Sequence, residues 1–155
     1  MFQHLLRGAA AGAAGTTALN ATTYLDMAIT ARPASSTPQQ AVDELAKLSG
    51  HPIPGQGEQH DNRLQGIGPL AGLAVGVGVG AAAGVAWPVL RRLPFGLAGA
   101  LLGGVVMVAS GGPVTALGIT DPRTWSAREW LSDIVPHVVY GAACGGVLRL
   151  LDKRR

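Results

Sequence analysis

Charge is scarce in this sequence. Asp, Glu, Lys and Arg make up 14% of its 155 residues, against about 25% in soluble domains. With 48% hydrophobic residues and 23 glycines beside so little charge, the composition excludes a soluble enzyme with a conventional core and a disordered tail protein. Cysteine is nearly absent: Cys144 has no partner in the chain, which excludes an internal disulfide scaffold. Aromatic residues amount to 5%.

The charges that are present avoid long stretches of chain. None lies in 8–25, 64–90, 93–120 or 134–148, windows that hold 88 of the 155 residues. A hydrocarbon core about 30 Å thick needs about 20 mostly apolar residues per helix. Two windows exceed that length, and the other two need short extensions past flanking charges. The expected fold is therefore an all-α membrane protein, a four-transmembrane-helix bundle forming one membrane domain over 1–155. Its spans are placed at about 5–29, 64–87, 95–118 and 134–151, with an outer segment at 32–63.

The first span is the weakest on an insertion scale, because it is rich in Ala, Gly and Thr and carries Asn20. A cleaved signal peptide is its rival, with a cleavage site near Ala18-Leu19-Asn20-Ala21, but GAAAGAAGTT lacks a leucine-rich core. Between spans 1 and 2 a short extramembrane helix is expected. Thr37 would be its N-cap, Pro38 its first residue, Gln40 the partner in a capping box and Gly50 its stop. Val42, Leu45 and Leu48 would share one face, packed on the other spans or laid on the membrane surface.

Span 2 contains VGVGVG at 75–80, which alternates like a strand. An open strand leaves backbone groups unpaired in lipid, so helix is expected there, ending near Pro88. Gly111-Gly112-Pro113 is expected to kink or interrupt span 3, with the break buried in protein or facing water. Ser126 with Glu129 forms a second capping-box pattern, opening a helix that enters span 4 near Pro136.

Four spans put both termini and the 88–94 turn on one side. That side holds Arg7, Arg91, Arg92, Arg149, Lys153, Arg154 and Arg155, against Arg32, Lys47, Arg63, Arg123 and Arg128 on the other. Seven basic residues against five place both termini in the cytoplasm and the chain in the cell membrane. Phe2, Trp87 and Phe95 would mark one interface, and Tyr24, Trp125 and Trp130 the other. The basic tail beside a span attracts anionic lipid. The lipid bilayer is thus an expected partner, and nucleic acid is not.

Gly72, Gly76, Gly80 and Gly84 recur every four residues along span 2 and form one ridge without side chains. Gly8 with Gly12, Gly99 with Gly103, and Gly141 with Gly145 repeat the spacing on the other spans. Helix association in lipid rests on close packing, which such ridges permit. They would hold the bundle together or dock a second copy or another membrane protein. A phosphate-cradling loop is not expected, since no strand precedes the glycines and nothing polar follows them.

Polar groups within the spans form two sets. Gly12, Thr16, Asn20 and Thr23 lie on one stripe of span 1, where Asn20 would sit near the bilayer centre. Its carboxamide would bond a neighbouring helix or line a route for a solute or proton. Asp133, His137, Gly141, Gly145 and Arg149 form an i+4 ladder on span 4. Asp133 and His137, with Asp26, Tyr24 and Tyr140, are expected near the outer interface, as structural capping groups or as a proton-responsive or solute site. The candidate polar intramembrane site is therefore Asn20, Asp26, Asp133 and His137. His51, Glu58, His60 and Asp61 match no closed metal-site spacing, so neither a metal nor another cofactor is expected. Cys144 reads as a small packing residue.

The segments TTALNATTYLDM (16–27), RPASSTP (32–38), TDPRTW (120–125) and EWLSDIVPHVVYG (129–141) resemble small multi-pass membrane proteins of high-GC Gram-positive bacteria. The resemblance implies membrane placement and no particular activity. Packing motifs abound and motifs for chemistry do not, so a non-enzymatic protein of structural or partner-docking type is expected. A small transport or proton-linked protein is the alternative.

Overall fold

The computed structural model describes residues 1–153, and among these residues all regular structure is helical. Five α-helices follow in order: α1 (Phe2–Thr30), α2 (Thr37–Leu48), α3 (Glu58–Leu90), α4 (Phe95–Ala116) and α5 (Ala127–Asp152). A single 3-10 turn, Pro122–Thr124, precedes α5. At about 1.5 Å per residue, α1, α3, α4 and α5 are each longer than about 30 Å. Among the described residues, only α3, α4 and α5 are both long and apolar enough to cross a membrane. The sequence expectation of four spans is thus met in composition by three.

α1 has the length of a span without the hydropathy, because Gly and Thr replace large apolar residues and Gln3, His4, Arg7, Asn20 and Asp26 are polar. Its hydroxyls are absorbed locally. Thr16, Thr17, Thr22 and Thr30 each donate to the carbonyl four residues earlier, at 2.7–2.9 Å, which removes the donors from competition with water or lipid. The helix then packs on α3 and on α5.

The glycine contacts give the direction of each pairing. Gly8 lies against Gly80 and Ala81, Gly12 against Gly76 and Val77, and His4 against Gly84, so α1 and α3 are antiparallel. Gly99 lies against Gly141 and Ala142 and Gly103 against His137 and Val138, so α4 and α5 are antiparallel as well. Gly15 beside Tyr140, with Asp26 bonded to Ser132, gives the same relation for α1 and α5. The start of α1, the α3–α4 turn and the end of α5 therefore share one end of the bundle. α2 and the 3-10 turn lie toward the other. Of the seven basic residues grouped on the first end, Arg154 and Arg155 lie outside the described residues.

Several local expectations shift. α2 begins one residue early, with Ser36 as N-cap and no side-chain cap bond, because Gln40 Nε2 reaches the Ser36 hydroxyl at 2.9 Å instead of a backbone group. The stop at Gly50 stands as a left-handed residue (φ 74°) just past the helix. α3 continues through Pro88 to Leu90. α4 is unbroken through Gly111-Gly112-Pro113, because Pro113 sits within its last turn, where a missing N–H removes one hydrogen bond without dividing the helix. The Ser126–Glu129 capping box forms at both of its bonds.

α2 covers α3 near Gly68, whose bare backbone lets Pro38 and Gln39 approach. Lys47 bridges Asp43 and Glu44 at 2.9 and 2.8 Å, and His60 at the start of α3 meets Asp43 at 3.3 Å. Lys47, aided by His60, holds the Asp43 carboxyl below the usual carboxylate range. Leu45 and Leu48 stay exposed, so only part of the apolar face of α2 is used for packing.

Candidate functional site

The α1–α3 seam is a contact of backbone on backbone. A side chain at Gly80 would strike the backbone of Gly12 and Gly8, and one at Gly84 would strike His4 and Gly8. At Gly76 the obstacle is the Thr16 hydroxyl. Three members of the α3 ridge thus form a groove in which α1 lies, while Gly72 faces open space. The i, i+4 spacing matters because every fourth residue returns to the same helix face, and glycine there removes the atoms that would hold the axes apart.

Tyr140 joins three helices at the middle of this arrangement. Fully buried, it lays its ring against Gly15 of α1 and donates its hydroxyl to the Gly76 carbonyl of α3 at 2.6 Å. Cys144, one turn further along α5, is fully buried in the same cluster. Sequence reasoning placed Tyr140 near the outer interface with Tyr24. The structure separates them, with Tyr24 exposed and Tyr140 in the core. The available signal was glycine at 15 and 76, since a ring needs a notch to enter so close a seam.

The four polar candidates do not form one constellation. Asn20 is exposed on α1. Asp26, near the end of α1, pairs with Arg32 at 2.6 Å and accepts from the Ser132 hydroxyl at 3.2 Å, tying α1 to the start of α5. Asp133 and His137 meet on another side of α5. The His137 Nδ1 lies 2.6 Å from the Asp133 carbonyl and 3.5 Å from its carboxylate, while Nε2 lies 3.3 Å from the Ser110 hydroxyl of α4.

That geometry fixes the bonding of the imidazole. A carbonyl can only accept, so Nδ1 carries a proton and donates to Asp133. Ser110 Oγ also lies 2.9 Å from the Val106 carbonyl. In the imidazolium, Nε2 donates to Ser110, which donates onward to Val106. In the neutral ring, Ser110 donates to Nε2. Ser110 can therefore satisfy either protonation state of His137, a role that sequence spacing alone did not suggest because the residue comes from α4.

The remaining polar residues are structural in placement. Asp121 caps the 3-10 turn and holds Arg123 through both carboxylate oxygens at 2.9 Å, which keeps the acid below its usual range. Trp125 and Trp130 stack edge to face with centroids 5.1 Å apart. Trp87, expected at an interface, is 4% exposed and belongs to the core. No three His, Cys, Asp or Glu side chains among the described residues are grouped to hold a metal ion. His51 bonds the Ser49 carbonyl, and His60 at the start of α3 bonds the Ile53 carbonyl and meets Asp43, so both histidines serve the outer segment.

No family model, curated protein or solved structure matches the chain. What the protein does must therefore be argued from its own geometry.

Proposed function

We propose that the chain is a four-span cell-membrane protein of structural or partner-docking type, without enzymatic activity, in which α1 is the fourth span and both termini are cytoplasmic. The observation that carries this reading is the groove of Gly76, Gly80 and Gly84, in which α1 lies backbone to backbone. A helix too weakly apolar to partition alone gains its place in the bilayer by packing against α3 and α5, where van der Waals contact drives association. The basic residues gathered at the end with both termini support the cytoplasmic assignment. Faces that the fold leaves open, such as Gly72 on α3, suit a second copy or another membrane protein.

A second reading rests on one specific cluster. His137, with Asp133 and Ser110, is a proton-bearing group at the α4–α5 seam, and ionisable groups within spans often mark proton or solute routes. Purified protein reconstituted with a pH-gradient dye separates the two readings. The structural reading expects the same proton flux as protein-free liposomes. A flux present in the wild type and lost in both His137→Ala and Asp133→Asn would replace it with the transport reading.

A further inference from the structure

The end of the bundle that carries both termini has an open depression of about 430 Å³, lined by Trp87, Arg91, Arg92, Arg149, Asp152 and Lys153. Four cations face one acid there. We propose that this depression binds the phosphate of an anionic phospholipid headgroup. The inference rests on α3, α4 and α5 being membrane spans.

Three observations carry it. The first is that Trp87 is 96% buried, lines the depression, and has an indole Nε1–H with no hydrogen-bond partner among the described residues. Buried polar groups in folded proteins nearly always have a partner, and a phosphate oxygen in the depression would supply one. The second is that Arg149 is held in place before any ligand arrives. Its guanidinium donates to the Leu93 carbonyl at 2.9 Å and lies 5.0 Å from the centre of the Phe95 ring. One of its five N–H donors makes that bond, and the planar fork suits a phosphate. Arg91 is steered similarly by Asp152, at 3.4 Å, and Arg92 is exposed beside it.

The third observation selects a lipid over free phosphate. Val89, Phe95 and Leu150 are exposed on the helix ends next to the cations. An apolar rim immediately beside a basic depression matches a molecule with a charged head and acyl chains, and a soluble anion would leave that rim in water. His4 and Arg7 of α1 line a separate cavity of about 10 Å³ against Trp87 and Asp152, which adds a further cation to this end of the bundle.

The test uses the full chain in nanodiscs of phosphatidylcholine with a minor share of phosphatidylglycerol, and reads retained lipid by native mass spectrometry. Wild type is expected to retain phosphatidylglycerol in preference to phosphatidylcholine. Arg91→Gln with Arg92→Gln should weaken that retention about tenfold, since each basic residue near an anionic surface contributes about a fewfold factor. Trp87→Phe should weaken it a fewfold. That uncharged change separates a built site from general attraction to a basic surface. Arg123→Gln, at the opposite end, should leave retention unchanged.

Equal retention of the two lipids by wild type would overturn the proposal, as would a Trp87→Phe variant that binds like wild type. Displacement of the lipid by millimolar inorganic phosphate would assign the site to a soluble anion instead. Failure of the wild type to enter nanodiscs would refute the membrane reading itself, an outcome distinct from entry without lipid preference.

Discussion

α1 and α4 both pack on α5, for different reasons. α4 is a continuous apolar helix that meets the membrane criterion by composition alone, and it leaves Leu97, Leu101, Val105 and Val108 exposed where acyl chains would cover them. α1 fails that criterion, and its buried residues are Gly8, Ala11, Gly12, Gly15 and Thr16. Composition makes α4 a candidate span, whereas α1 is held by its fit against its neighbours. On the proposed four-span reading, a span is specified by the groove that receives it, and its own sequence then looks too polar.

The largest expected effect comes from filling that groove. Gly80→Leu drives a side chain into the Gly12 backbone, and overpacking of a tight contact costs about 1–3 kcal/mol or more. Thermal unfolding in detergent should show a clear loss, and α1 should become accessible to protease in membranes. Gly72→Leu, on the same ridge but facing open space, should be close to neutral. Equal tolerance of the two changes would mean that α1 does not depend on the groove.

The matching change on the other seam sharpens the contrast. Gly141→Leu collides with the Gly99 backbone and should destabilise the bundle by a comparable amount. Because α4 is apolar enough to remain in lipid unaided, it should stay protected from protease in membranes. Release of α4 would erase the distinction between the two helices.

A smaller effect is expected at the point where α1, α3 and α5 meet. Tyr140→Phe keeps the ring in the Gly15 notch and removes the bond to the Gly76 carbonyl. The loss should be about 1 kcal/mol, read as a lowered unfolding temperature. A change of several kcal/mol would mean that the hydroxyl organises more than one bond.

The smallest effect lies at the start of α5. The Ser126 backbone N–H and hydroxyl bond the Glu129 carboxylate at 2.7 Å and hold it below its ordinary value of 4.5. A carboxyl depressed in the folded state stabilises fully above its unfolded value, and that contribution disappears as pH falls through the folded value. Unfolding temperature should therefore decline on acidification below about 4.5, and the decline should be shallower in Glu129→Gln. Identical pH profiles would exclude the capping box as a source of acid sensitivity.

The sequence made the helices legible because charge-free windows mark apolar elements whatever their packing. The Ser126–Glu129 box was equally readable, since a capping motif is local. Two kinds of feature were not. Gly111-Gly112-Pro113 was expected to kink or interrupt a span, and no interruption occurs, with the helix end only three residues beyond Pro113. Asn20, Asp26, Asp133 and His137 were grouped because they are the polar residues of the outer half of spans 1 and 4, Asn20 near the bilayer centre and the others near the outer interface. Depth along an axis carries no information about azimuth, and the rotation of α1 and α5 sends them to different faces. Trp87 was assigned to an interface from its place at a span end, whereas Gly84, three residues before it, leaves room for α1 to cover the indole.

The central claim is that α1 crosses the bilayer although its composition does not require it. Single cysteines at its two ends, Gln3→Cys and Ser35→Cys, can be labelled in intact cells with a membrane-impermeant maleimide, with the fully buried Cys144 as an internal control. The account predicts labelling of Ser35→Cys from outside, and of Gln3→Cys only after the membrane is opened. Labelling of both positions from the same side would contradict it.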